Sequence, residues 1–315
     1  MWRPFSRSIR NVSGVFALLA SASLAQANNV QVALEGSLLT VFGDNVANTV
    51  RISQTATEVV VTGSAGTLIN GLPSVSFPGA VLNAVEARME NGNDSLTLVD
   101  VQVANDLYVS LGEGNDFMST SGVNSVGANA TIEAGGGADT INLTGMVVFE
   151  DTFIDGGLGV LVAEIAGADL GKGLTVLSDA GADRIRVSNS TIGEMVAIDT
   201  KGGNDTVSLV NSMSFSAFVQ ADLGTDSVTV SDWMTIEDIG IFTGAGNDTV
   251  SLTSVVSGKS LTVSVDAGND TVTGVSVSVT EDAVFEGGAG TDTITDRGIT
   301  AVIKKDIKEF ERSLR

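Results

Sequence analysis

Residues 246–252 read Gly246-Asn247-Asp248-Thr249-Val250-Ser251-Leu252, and residues 203–209 repeat the pattern as Gly203-Asn204-Asp205-Thr206-Val207-Ser208-Leu209. Gly268-Asn269-Asp270-Thr271-Val272-Thr273 is a third near-copy. The spacing of the copies decides the fold. The motif glycine recurs at Gly92, Gly114, Gly137, Gly159, Gly181, Gly203, Gly224, Gly246, Gly268 and Gly290, at intervals of 22, 23, 22, 22, 22, 21, 22, 22 and 22 residues. A fixed period of this size marks a solenoid in which one repeat is one coil. Gly and Asn tolerate positive φ, so Gly-Asn-Asp predicts a turn. The residues after it alternate apolar and polar, as in a strand with one buried face.

Stacking such coils turns columns of the sequence into stripes. Two residues past the aspartate position stand Leu96, Met118, Ile141, Ala163, Ile185, Val207, Val228, Val250, Val272 and Ile294. Four past it stand Leu98, Thr120, Leu143, Ile165, Val187, Leu209, Val230, Leu252, Gly274 and Asp296. A single coil cannot bury this stripe, whereas a stack can. The predicted architecture is an all-β parallel β-solenoid, β-helix-like or β-roll-like, of about ten 22-residue coils. Residues 28–84 fall outside the period and read as an irregular N-terminal β cap, with a turn at Gly43-Asp44-Asn45. The solenoid is expected over 85–298. Residues 299–315 read as a short C-terminal cap, either a helix or a last polar strand.

Nine of the ten glycines have an aspartate two residues on: Asp94, Asp116, Asp139, Asp183, Asp205, Asp226, Asp248, Asp270 and Asp292. Parallel stacking puts successive carboxylates about 5 Å apart. Like charges so close disfavour ionisation and compaction. A second acid precedes many turns, as Glu133, Asp199, Asp222, Asp266 and Glu286. A hard divalent cation between coils, held by carboxylates and turn carbonyls, removes the repulsion, and calcium with its six to eight oxygen ligands suits this better than magnesium. The plain alternative is a hydrogen-bonded turn carrying a solvated aspartate. One coil breaks the row: Gly159 is followed by Val160-Leu161, so a gap is expected there, splitting the row in two.

The residues resemble the RTX, or hemolysin-type, calcium-binding repeat, whose nonapeptide is Gly-Gly-x-Gly-x-Asp-x-apolar-x. Gly287-Gly288-Ala289-Gly290-Thr291-Asp292-Thr293-Ile294-Thr295 matches every defined position, and the other copies keep Gly-x-Asp-x-apolar over roughly residues 88–296. The resemblance implies calcium between successive coils, with the nine aspartates as carboxylate ligands beside turn carbonyls. The family places its nonapeptides in tandem, on both edges of eighteen-residue coils. Here one motif occurs per coil, so one edge alone would be metallated.

Composition narrows the function classes. The formal charge is −22, which argues against nucleic acid or an anionic membrane surface as partner. With no His and no Cys, the chain lacks the commonest general base, the commonest ligand for zinc, copper or iron, and any disulfide. Residues 1–27 read as a Sec-type signal peptide: Arg3, Arg7 and Arg10, an apolar run from Val12 to Leu24, then Ala25-Gln26-Ala27. No later stretch could span a bilayer as a helix. The expected function is an exported calcium-binding solenoid with a structural or adhesive role at the cell surface or in the extracellular matrix, its partners calcium and an extracellular polysaccharide or matrix. The alternatives are a polysaccharide lyase-like or epimerase-like β-helix enzyme and an ice-binding solenoid. For the enzyme, the candidate basic residues are Lys172, Arg184, Arg186 and Lys201, near coils four to six. For ice, the hydroxyl column is Ser95, Thr140, Thr206, Ser227, Thr249, Thr271 and Thr293.

Overall fold

Every regular element in the computed structural model is a β-strand. It describes residues 28–310 and 312–314; the expected signal peptide lies outside the described residues. Within them, no helix is long and apolar enough to cross a membrane.

Each coil carries leading, middle and returning strand segments, the first two merged into one strand in some coils, such as Thr206–Ser214. In one coil they are Thr249–Thr253, Val256–Ser257 and Leu261–Ser264, and each pairs in parallel with its equivalents one coil before and after. The leading strand follows the aspartate, the short middle strand follows a corner, and the returning strand leads into the next Gly-x-Asp turn. The offset follows the sequence period. Val207 pairs with Val228, Val228 with Val250, Val250 with Val272 and Val272 with Ile294.

This register buries the two predicted columns. All ten residues two past the aspartate are at most 1% exposed. Strand alternation sends the intervening Ser and Thr residues outward. Returning strands add a third apolar wall that includes Val109, Ile132, Ile154, Val176, Ile198, Val219, Ile241, Val263 and Phe285. Gly274 leaves a gap in the second column, and Ile299 fills it: a Cβ on Gly274 would lie 2.5 Å from Ile299 Cδ1.

The N-terminal region is more regular than its sequence suggests. It contains β1 (Asn29–Glu35), β2 (Leu38–Phe42), β3 (Thr49–Gln54), β4 (Glu58–Gly63), β5 (Leu68–Ile69) and β6 (Ser74–Pro78). β1–β2, β3–β4 and β4–β6 are antiparallel, as expected of a cap. Yet β2 pairs in parallel with Ala84–Arg88, and β3 with Ser95–Val99, so both lie in the solenoid's own columns. The antiparallel insertion β4–β6 interrupts the 22-residue count, which hides this coil from a periodicity search.

The C-terminal segment resolves to strand, not helix. Lys304–Lys308 pairs with Asp282–Glu286, so the columns continue past residue 298. Lys305 Nζ lies 2.7 Å from the buried Asp296 carboxylate, which also accepts the Gly298 and Ile299 N–H groups at 3.1 and 2.9 Å. Asp296 occupies an apolar column at the last turn, and these three donors make it tenable there.

Candidate functional site: a buried carboxylate row

The Gly-x-Asp turns stack on one another, and their geometry explains both conserved positions of the repeat. Gly224 has φ +150°, and a Cβ on it would lie 1.3 Å from the carbonyl oxygen of Gly203 one coil earlier. No side chain fits such an approach, and L-residues disfavour that φ. The turn asparagine behaves otherwise than expected. Asn93, Asn115, Asn204, Asn247 and Asn269 do not take positive φ. Instead their Oδ1 atoms accept the N–H of the equivalent residue in the following coil, at 2.8–3.0 Å.

The aspartates make the reciprocal bond. Oδ1 of each of the nine accepts a backbone N–H from the preceding coil, over 2.6–2.9 Å. Asn ladders therefore run forward along the axis and the Asp ladder runs back. At the N-terminal end the residue at the aspartate position is Asn48, fully buried, which donates its N–H to Asp94. Its amide Nδ2 bonds Asn28 and Asp44, so the row begins on a neutral group.

The nine aspartates are not solvated. Each is 0–2% exposed, which removes the solvated-turn alternative. Their second oxygens carry the functional information. Oδ2 of Asp94, Asp116, Asp139, Asp183, Asp205, Asp226, Asp248 and Asp270 is buried without a hydrogen-bond partner. A buried polar atom without a partner is costly, and a buried charge more so. Burial accordingly pushes Asp94 and Asp270 up to about 7, and Asp139 and Asp226 up to about 6. It also raises Asp116, Asp205 and Asp248. The ladder N–H opposes the shift in each case, and neighbouring carboxylates add to it.

The turn interior is lined by the residue three before the glycine. Here Thr200 and Thr243 stand beside Asp205 and Asp248, near enough to favour ionisation, though neither hydroxyl makes a well-formed hydrogen bond. The sequence reading did not single out these hydroxyls; each directly follows the returning strand, Met195–Asp199 or Ile239–Phe242, and its place three residues before the motif glycine was the available signal.

The five second acids do not form one row. Relative to the motif glycine, Glu133, Asp199 and Glu286 stand four residues before it, at the outward end of the returning strand. Asp222 and Asp266 stand two before it, with φ +64° and +54°. All five have partners of their own. Tyr108 donates to Glu133 at 2.6 Å, Lys201 pairs with Asp199, and Lys308 lies 2.7 Å from Glu286. Gln220 and Ser264 donate to Asp222 and Asp266 at 2.7 and 2.6 Å. The common "apolar then acid" pattern conceals two turn positions. Even so, Asp222 raises Asp226 and Asp266 raises Asp248, so these two lie within electrostatic range of the buried row. Glu113 acts likewise on Asp116 and Asp139.

The site fits a cation between coils in one respect. Strands stack about 4.8 Å apart, so the unpartnered Oδ2 atoms of successive aspartates would supply carboxylate oxygens of the kind calcium takes. Among the described residues no group of three or more acidic side chains converges on one point. Each gap therefore offers two buried carboxylates, and carbonyls, hydroxyls or water must complete the shell.

The coil without an aspartate is built differently. Leu161 is 1% exposed and takes the carboxylate's place. The residue facing it is Gly156, where a Cβ would lie 2.9 Å from Leu161 Cδ2. Here the turn pairs as continuous strand, Gly136 to Asp139 against Leu158 to Leu161. The Leu161 N–H still donates to Asp183, at 2.6 Å.

The candidate basic residues are dispersed. Arg184 and Arg186 face outward on a leading strand, Arg186 lying 3.8 Å from Glu164, and Lys172 pairs with Glu150 on another corner. Lys201 is occupied by Asp199. Comparison with protein-family models, curated proteins and solved structures finds no match for this chain.

Proposed function

We propose that this chain is an exported calcium-binding β-solenoid with a structural or adhesive role at the cell surface or in the extracellular matrix. One observation carries the reading: a line of buried aspartates, each with one oxygen tied to the preceding coil and eight with the other oxygen unpartnered. A cation compensates what the fold leaves uncompensated. The nine aspartates are the proposed primary ligands, with Asp222 and Asp266 the nearest of the second acids. Calcium then couples to folding, because a ligand that binds only the folded chain stabilises it by mass action. At −22 net charge, the chain also gains from any bound cation through reduced self-repulsion.

The deciding experiment is a thermal melt followed by circular dichroism, in EDTA, then in calcium, then in magnesium. A large rise in melting temperature with calcium, poorly reproduced by magnesium, is the expected result. A melt indifferent to calcium would sink the reading and leave the row as a neutral, protonated turn ladder.

A further inference from the structure

We propose that Leu161 insulates the row, so that the solenoid comprises two separately cation-loaded folding units: a short one holding Asp94, Asp116 and Asp139, and a long one running from Asp183 to Asp292. The proposal rests on the calcium reading and assigns that site a two-part response.

The geometry supports it in three ways. Leu161 puts an apolar side chain where Asp139 and Asp183 would each have a carboxylate neighbour, so no ion bridges either gap. Gly156 accommodates the Leu161 tip, so the turn is packed and not merely empty. Continuous strand pairing from Gly136–Leu158 to Asp139–Leu161 holds the two turns together through backbone bonds. This coil therefore needs no cation. In a solenoid, where each repeat contacts only its neighbours, cooperativity passes through nearest-neighbour interfaces. Ion-mediated coupling stops where no ion bridges two coils. Two gaps between adjacent carboxylates remain in the short unit and five in the long one, so the units differ in how many ions reinforce one another.

The chain contains a reporter in each unit. Tyr108, the sole tyrosine, lies between Asp94 and Asp116 and is held by Glu133. Trp233, buried at 0%, lies between Asp226 and Asp248. Replacing Trp2 by Phe leaves Trp233 as the only tryptophan. Calcium would be added stepwise to the EDTA-treated chain, following Trp233 by fluorescence and Tyr108 by the near-UV circular dichroism difference between the chain and its Tyr108→Phe variant, because Trp233 absorbs over the same wavelengths. The expected result is two midpoints differing about threefold or more in free calcium. Leu161→Asp fuses the row and brings the midpoints together. Because that variant could fail to fold, Asp226→Leu serves as a second test: it should broaden the Trp233 transition while leaving the Tyr108 midpoint unchanged. Coincident midpoints in the parent, or an Asp226→Leu effect equal at both reporters, overturn the two-unit proposal while leaving calcium binding intact. If neither reporter answers to calcium, the calcium reading itself fails, and the two-unit proposal with it.

Discussion

At the scale of single residues, the turn assigns opposite duties to its glycine and its aspartate. The glycine is required because the preceding coil's carbonyl occupies the space of any side chain. Gly224→Ala must push that carbonyl away while holding φ near +150°, and it should cost several kcal/mol or prevent folding. A denaturant melt checks this. The aspartate is required for one oxygen only, as far as the ladder is concerned. Asp248→Asn keeps an acceptor for the Asp226 N–H and removes the charge. In EDTA at neutral pH it should therefore equal or exceed the parent in melting temperature, and in calcium it should fall below it. Asp248→Ala removes the acceptor as well. It should lose about 1–3 kcal/mol with calcium present, the cost of stranding a buried N–H.

The same carboxylates set the pH response. Burial raises the folded pKa of Asp94, Asp116, Asp139, Asp205, Asp226, Asp248 and Asp270 above the ordinary aspartate value of 3.8, to about 7 at Asp94 and Asp270 and about 6 at Asp139 and Asp226. The folded chain thus holds more protons than the unfolded one. That contribution to stability is complete below the unfolded value and is lost as pH rises through about 6 to 7. In EDTA the melting temperature should therefore rise as pH falls from 8 to 5. A flat profile over that window would contradict the buried-row picture.

At the scale of elements, the C-terminal end of the solenoid uses charge where the middle uses apolar packing. Asp296 sits in a column filled by Leu98, Leu143, Ile165 and Val187 in earlier coils, and it is tenable because Lys305 and two N–H groups reach it. Its pKa is lowered: the Lys305 ammonium and those N–H groups outweigh burial, the largest single influence. Lys305→Ala should destabilise the last coil by about 1–3 kcal/mol, visible as increased amide exchange over 293–301 before any change elsewhere. What the sequence revealed at this scale followed from repetition. The leading-strand columns and the turn were legible because identical residues returned every 22 positions. Alternation over 30–41 and 49–62 marked strands there, but the place of β2 and β3 in the solenoid's own columns was not legible, because an antiparallel insertion displaced their count. The second acids were misaligned because an acid after an apolar residue occurs at two turn positions. The asparagine's role was hidden because its bond goes to a residue a whole coil away.

At the scale of the whole molecule, the stack is held by contacts between equivalent positions, so coils are close to interchangeable. Thr249 pairs with Thr271 and Val250 with Val272, so removal of residues 250–271 joins Thr249 to Val272 in register. The shortened chain should fold. Removing one residue more or fewer puts the error inside the leading strand, where the rest of that strand turns to the opposite face, whereas the 21- and 23-residue coils absorb theirs at corners. It should lower the melting temperature well below that of the 22-residue deletion. Loss of order in both deletions would mean that the coils are not interchangeable.

The two ladders that run in opposite directions along the axis have one more consequence. Turns that carry both the asparagine and the aspartate offer the same donors and acceptors above and below, so such a coil carries no mark of its place in the stack. The molecule can then serve as a ruler. Duplication of one 22-residue coil lengthens it by about 4.8 Å without redesign of its neighbours. Evolution can set the distance between whatever is attached at either end by copying a unit that already folds.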